Sequence, residues 1–229
     1  MPHTTIIVPA KDEETGLKFL LDNYNESRLS DNPDISFIFV IDGRTSDLSK
    51  NVASKFSDRV IDQKETHGKG SAIRQAVNLW KENKTRFVIF LDADGSYSFN
   101  EVEKIISALE DGSDVVSGSR FLSGNWKPKG MSMMHIFGNR MLSIISSIKN
   151  RRKISDLCTG LWGFNSKAMD LIDLQSEGFD LEAEIAGKSR KHGLSHREIP
   201  VIWSDRKGGS SKLRSFRDGF IILLRIIKT

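Results

Sequence analysis

The sequence predicts an α/β domain with a mostly parallel central sheet flanked by helices. Three observations carry the prediction. Short β-branched and aromatic runs alternate with segments of helical period along the 229 residues, the pattern of strands joined by crossover helices. Neither an internal repeat nor a low-complexity linker interrupts that alternation. The loops after the strand candidates are polar and glycine-bearing, as expected where ligands sit at the carboxyl ends of parallel strands.

Taken in order, residues 5–8 form the first strand candidate, followed by the loop PAKDEE and a helix over 15–26. Residues 35–41 supply the second strand, with the loop DGRTSD and a helix over 46–56 behind it. A short third strand, 59–61, runs through KETHGKG into a helix over 70–82. The fourth, 87–91, ends in DADGS before a helix over 100–110. The fifth, 114–117, leads into GSRF, and a long helix follows over 132–149. Strands over 161–164 and 197–202 bracket a helix over 180–192. Residues 1–214 read as one domain, and 215–229 as a basic amphipathic helix that is part of it or appended to it. Four of the first five loops hold a carboxylate and four hold a basic residue, which suits a ligand both phosphorylated and metal-bound.

The length is enough for a single domain with a substantial core. Lysine and arginine number 34 against 30 aspartates and glutamates, a net charge of +4. That balance favours anionic partners, but apart from Trp126 between basic flanks there is no basic stripe interleaved with aromatics, as a nucleic-acid binder would show. The single cysteine, Cys158, can form neither an internal disulfide nor a thiolate cluster and reads as a small buried apolar group. No signal-peptide pattern opens the chain, and no stretch reaches the roughly 20 apolar residues needed to cross a bilayer. The expectation is a soluble or peripheral protein.

The stretch FLDADGSYS runs a buried strand straight into Asp92 and Asp94. A strand conformation kept as far as Asp94 would aim both carboxylates at one spot. Like charges so placed repel, and a cation between them is expected. Two carboxylates with the Ser96 hydroxyl suit a hard divalent ion that bridges to substrate phosphates; the competing reading is a solvated Asp-Gly turn. THGKGSAIRQA sets Lys69 and two glycines at the start of a helix, where free N–H groups favour an anion. It matches neither the Walker loop nor the dinucleotide fingerprint, and a plain helix start competes with the anion reading.

Arg120, Arg140 and the run DRKGGSSKLR add groups suited to phosphate, each alone as readily a solvated surface charge. Residues 131–148 are dominated by Met133, Met134, Ile136, Phe137, Met141, Ile144, Ile145 and Ile148, and KNRRK follows. Near the C-terminus Arg214, Arg217, Arg225 and Lys228 fall within about an 80° arc of a helical wheel. Both segments read either as basic amphipathic helices on an anionic lipid interface or as helices packed on the core. His67, His135, His192 and His196 show no metal-ligand spacing.

Taken together, IIVPAKDEE, VIDGRTSD, HGKGSAIRQA, FLDADGS, GSRF, SDLCTGLWGF, FDLEAEIA and EIPVIWSDRKGGSSKLR resemble, in order and over nearly the whole chain, the family 2 glycosyltransferases of GT-A fold. The narrower likeness is to the dolichol-phosphate mannosyltransferase-like, polyprenyl-phosphate branch. The resemblance implies a Rossmann-like nucleotide-diphosphosugar transferase fold and a metal-dependent hexosyltransferase. It assigns the nucleotide to Pro9, Glu13, Asp42, Lys69 and Asp92, and Mg²⁺ or Mn²⁺ to Asp92, Asp94 and Ser96. Ser96 stands where that branch often has glutamine, and Ile41 stands where a first aspartate is commoner. Catalysis falls to Asp94, Arg120 and Arg206, and the acceptor phosphate to Arg120, Arg140, Arg206, Ser210 and Lys212. Asp156 and Glu182 are implied to orient sugar hydroxyls or a loop, with capping as the competing role.

The same resemblance implies inverting transfer of mannose, glucose or an N-acetylhexosamine from a GDP- or UDP-linked donor to a polyprenyl (dolichyl) phosphate, giving a β-linked product in protein glycosylation. It implies a peripheral enzyme on the cytoplasmic face of a membrane, drawn to anionic lipid or to a separate membrane-anchor subunit, without a nucleic-acid partner. Two alternatives stay open. One is a GT-A enzyme acting on glycerate or phosphoglycerate; the other is a non-catalytic nucleotide-sugar-binding module, against which the paired aspartates count.

Overall fold

The computed structural model describes residues 3–63, 67–122, 124, 127–128, 130–208 and 215–229. In chain order the elements are β1 (Thr4–Ala10), α1 (Glu14–Asn25), β2 (Ile35–Asp42), α2 (Ser49–Phe56), β3 (Val60–Gln63), α3 (Lys69–Glu82) and β4 (Phe87–Leu91). There follow α4 (Phe99–Glu110), β5 (Val115–Ser119), α5 (Met133–Asn150), β6 (Leu161–Asn165), α6 (Ser166–Leu171), α7 (Leu181–Lys191), β7 (His196–Pro200) and α8 (Ser215–Lys228). Seven strands make one sheet in the order β3-β2-β1-β4-β6-β5-β7. The pairs β1·β2, β1·β4, β2·β3 and β5·β7 are parallel, and β6 runs antiparallel to both of its neighbours.

Side chains alternate across the strands and so feed two apolar layers. Ile6, Val8, Phe39 and Ile89 pack with Leu17 and Leu20 of α1 and Val102 and Ile105 of α4. On the other face Ile7, Val40, Val88 and Phe90 pack with Ile73, Val77 and Trp80 of α3 and Ile185 of α7. Burying the Trp80 indole needs a hydrogen-bond acceptor for its N–H, and Thr85 Oγ1 supplies one at 3.0 Å. A third, smaller cluster joins Leu142 of α5, Ala183 and Ala186 of α7, and Ile222 and Ile226 of α8.

The structure departs from the sequence expectations at three places. The strand conformation does not persist to Asp94: β4 stops at Leu91, and residues 93–94 form a turn. The turn is held from outside, because Ser204 N–H donates to Ser96 O at 2.9 Å and Lys207 N–H to Asp94 O at 3.0 Å. Val201 N–H still donates to Ser119 O at 3.1 Å, but Ser204 and Lys207 are bonded to the turn instead of the sheet, and β7 ends at Pro200 instead of reaching Ile202. The short helix α6 was not expected; Asn165 caps it by accepting from Ala168 N–H at 2.8 Å.

Gly16 lets α1 lie directly on the Asp92–Asp94 turn. A Cβ there would stand 2.5 Å from Ala93 O and 2.8 Å from Asp94 Cα, both backbone atoms. Gly16→Ala must push the helix off the turn, and overpacking of that kind costs about 1–3 kcal/mol. The expected result is a lower urea midpoint at unchanged m-value.

Candidate active site

The carboxyl ends of β1, β2 and β4 converge with the start of α3 around a cleft of about 330 Å³. Pro9, Lys11, Glu13, Asp42, Arg44, Gln63, Lys69, Asp92, Asp94 and Arg206 are among its walls. At the β2 end, Asp42 accepts from Arg44 Nε at 3.0 Å and Nη2 at 2.8 Å, and His67 Nδ1 stands 3.5 Å away. Burial works against the charge on Asp42, but the bonds from the Arg44 side chain and backbone outweigh it and hold the carboxyl at about 2. Beside it, Glu13 N–H donates to Ser49 Oγ at 2.9 Å, which ties the β1 loop to α2.

Two cations hold the aspartate pair. Lys69 Nζ lies 2.7 Å from Asp92 Oδ1 and 2.8 Å from Glu182 Oε1. Burial opposes that ammonium, yet the two carboxylates hold it protonated well above the usual lysine range. Arg206 Nη1 lies 3.1 Å from Asp94 Oδ2, and its Nη2 also pairs with Glu13. Asp94 Oδ1 accepts from Ser96 N–H at 3.0 Å. Asp92 lies against Gly160, where a Cβ would come within 1.9 Å of its Oδ2; any larger residue would displace the carboxylate.

The donor set fits a hard divalent cation. All candidate ligands are oxygens, and the buried Ser96 Oγ beside Asp94 makes no hydrogen bond. Among the described residues, Asp92 and Glu182 share Lys69, and Asp94 and Glu13 share Arg206. Among the described residues no group of three or more His, Cys, Asp or Glu could hold a metal. Such an ion would take its remaining ligands from water or from a bound phosphate.

Pro9, Glu13, Asp42, Lys69, Asp92, Asp94 and Arg206, all singled out in the sequence, are brought together here. Arg120 and Arg140 are not among the lining residues of the cleft. Arg120 forms a buried two-pronged pair with Asp156, Nε to Oδ2 at 2.7 Å and Nη2 to Oδ1 at 2.7 Å, and donates to Cys158 O at 2.8 Å. Asp156 also accepts from Asn139 Nδ2 at 2.6 Å, and Glu198 accepts the N–H groups of Ser155 and Asp156. Arg140 is exposed, its guanidinium 5.1 Å from the Phe121 ring. Ser96 is buried behind the turn and does not line the cleft; Ser210 and Lys212 lie outside the described residues. Cys158 is half-buried, with its thiol pushed up to about 12 by burial.

Sequence reasoning missed the site roles of Lys11, Arg44, Gln63 and Phe179. Lys11 and Arg44 sat inside loops already marked as functional, and only the fold shows that they share a wall. A second cavity of about 460 Å³ adjoins the cleft across Gly68 and Phe179, between residues 175–180 and α8. It lacks the paired aspartates, so the chemistry is assigned to the smaller cleft.

A largely parallel sheet with one reversed strand, delivering carboxylates, a lysine and an arginine to one edge, is the frame of a GT-A nucleotide-sugar transferase. The chain belongs to glycosyl transferase family 2, whose sequence profile matches residues 5–172. It is 30% identical over 224 residues to glycosyltransferase AglJ of Haloferax volcanii, across 97% of this chain and 70% of that protein. It is 28% identical over 191 residues to the dolichyl-phosphate hexose transferase of the same organism, across 83% of this chain and 79% of that one. Among solved structures, glucosyl-3-phosphoglycerate synthase from Mycobacterium tuberculosis, in complex with Mn²⁺, UDP and phosphoglyceric acid, matches with a TM-score of 0.75 over 99% of this chain and 78% of its own. Identity there is 13%, so that likeness speaks for the fold alone.

The Arg120–Asp156 pair braces the loop before β6. Removing one partner of a buried pair strands the other charge and costs about 3–5 kcal/mol. Asp156→Ala is expected to lose stability on that scale, measured by thermal or denaturant unfolding.

Proposed function

We propose that this glycosyltransferase moves a hexose from a nucleotide-diphosphate sugar to a polyprenyl phosphate, with inversion at the anomeric carbon. The observation that carries the reading is the single cleft in which Asp92 and Asp94, each paired with a cation, stand beside Glu13, Asp42 and Arg44. In it, Pro9, Glu13 and Asp42 hold the base and ribose, and Lys69 and Arg206 face the diphosphate. Asp92 and Asp94 would hold Mg²⁺ or Mn²⁺ there. Bound there, the ion would neutralise charge on the departing diphosphate.

A lipid monophosphate is already ionised near neutral pH, so its oxygen can attack the anomeric carbon without a protein base. The bond from the acceptor's phosphate oxygen to the anomeric carbon forms as that carbon's bond to the diphosphate oxygen breaks, and the nucleoside diphosphate leaves. What the chain must supply is alignment of two anions and stabilisation of the leaving group. Arg206, on the cleft wall, suits both tasks. Arg120 contributes by bracing the Asp156 loop, and Arg140 by meeting anionic headgroups at the surface.

A lipid acceptor is favoured over a soluble one by α5 and α8. The two helices pack together, and their buried faces form the third apolar cluster. Yet α5 leaves Met133, Phe137, Met141, Ile144 and Ile148 exposed at helical spacing, Phe137 at 72% and Ile148 at 74%. On α8, Phe216, Phe220, Leu224 and Ile227 are exposed in the same way. Arg140, Lys149, Arg151, Lys153, Arg217 and Lys228 are exposed on or next to these helices, the charge an anionic membrane attracts. Arg225 is not one of them, since its Nε donates to Asp180 Oδ2 at 2.7 Å. No helix among the described residues is long and apolar enough to cross a membrane. The reading is peripheral attachment on the cytoplasmic face, through lipid or a membrane-anchor subunit.

Purified protein with Mn²⁺ or Mg²⁺ and labelled GDP- and UDP-sugars should place label in the organic phase when given a polyprenyl phosphate. Label found only on glycerate or phosphoglycerate would overturn the acceptor assignment, and Asp94→Ala is expected to lower the rate about 100-fold or more. In a flotation assay the wild-type chain should rise with vesicles containing anionic lipid. The paired change Phe137→Asp and Ile144→Asp should leave it at the bottom of the gradient, while flotation of that variant would return the stripe to another use.

A further inference from the structure

Each aspartate of the pair shares its cation with a glutamate. Asp92 shares Lys69 with Glu182, and Asp94 shares Arg206 with Glu13. The cation of the first bridge is the more enclosed: the Lys69 side chain is 13% exposed against 30% for Arg206, and that of Glu182 is 8% exposed. An ammonium so placed cannot be left without a counter-charge. We propose that Glu182 is a positioning residue that acts through Lys69 to keep Asp92 available to a divalent cation. The proposal rests on the metal reading of Asp92 and Asp94 given above.

Lys69 Nζ occupies Oδ1 of Asp92, one of the residues that would hold the cation. A divalent ion arriving there competes with the ammonium for that oxygen. Lysine carries three donors on a flexible stem, so Lys69 can release Asp92 and stay neutralised by Glu182. With Glu182 made neutral, the ammonium is left to Asp92, and the incoming ion must displace a tighter partner. With Lys69 made neutral, Asp92 is no longer held by an ammonium. The two changes should therefore move cation affinity in opposite directions, although they alter partners in one bridge. A brace that only stabilises the fold would fail in the same direction from either side.

The experiment is Mn²⁺ binding to the purified full chain, followed by electron paramagnetic resonance with Mn²⁺ alone. Glu182→Gln is expected to weaken binding on the order of tenfold or more, the effect of one unit charge on a divalent ion at short range in a partly buried site. Lys69→Met should bind at least as tightly as the wild type. The double variant Lys69→Met with Glu182→Gln should recover most of what Glu182→Gln loses, and Glu182→Asp should retain most of the wild-type affinity. Thermal unfolding of each variant establishes that it is folded; should Glu182→Gln not fold, the double variant and Glu182→Asp carry the test. Wild-type affinity in Glu182→Gln, or equal weakening in all variants, overturns the proposal. Wild-type protein that binds Mn²⁺ no better than Asp92→Asn overturns the metal reading itself, and the proposal with it.

Discussion

Lys69 is the point on which the cleft depends. Its ammonium joins the start of α3, the turn after β4 and the start of α7, segments separated by 23 and 90 positions in sequence (92 − 69 and 182 − 92). A buried ion bridge adds little net stability over apolar packing of the same shape. Its value here lies in what it fixes: the direction of Asp92. That direction is set a second time by Gly160, which has no side chain to displace the carboxylate. Asp94 is aimed by different means, with the Ser96 N–H on one oxygen and Arg206 on the other. The two aspartates are thus oriented by separate parts of the chain, and neither depends on strand geometry to face the cleft.

Behind the cleft stands a second, more deeply buried polar network. Glu198 of β7 accepts from the backbone of residues 155 and 156, Asp156 takes Arg120 and Asn139, and Arg120 reaches Cys158 O. Each polar group finds a partner of opposite character, as burial demands. The network links β5, α5, the loop before β6 and β7, so it fixes α5 relative to the sheet. The apolar stripes of α5 and α8 are thereby held on a rigid support instead of on mobile arms. The exposed stripes and the cleft share one framework.

Much of the fold was open to inference from the sequence. Apolar runs such as FVIFL and ISFIFVID mark strands by composition alone, and the polar loops after them mark the functional edge. Direction is different. Nothing in LWGFN distinguishes a reversed strand from a parallel one, because side-chain alternation is the same both ways. Both aspartates do line the cleft, but a turn held by Ser204 and Lys207 puts them there in place of the expected strand conformation. Arg120 shows the limit most plainly. Its place in GSRF suggested phosphate, whereas Asp156, 36 positions away, takes its guanidinium. A partner chosen through long-range topology leaves no mark on spacing.

The reversal of β6 has a consequence for how such a chain can change. Leu91 of β4 pairs with Leu161 of β6, so the beginning of β6 lies at the same edge as the end of β4. The end of β5, a parallel companion of β4, lies there too. Residues 120–160 therefore leave the sheet and return to it on one side, without crossing it. The excursion holds α5, with its exposed apolar stripe, and the loop that meets Asp92. It can lengthen, shorten or exchange its outward face while β1, β2 and β3 keep their register. In such an architecture the outward face of α5 is free to diverge faster than the cleft at the ends of β1, β2 and β4.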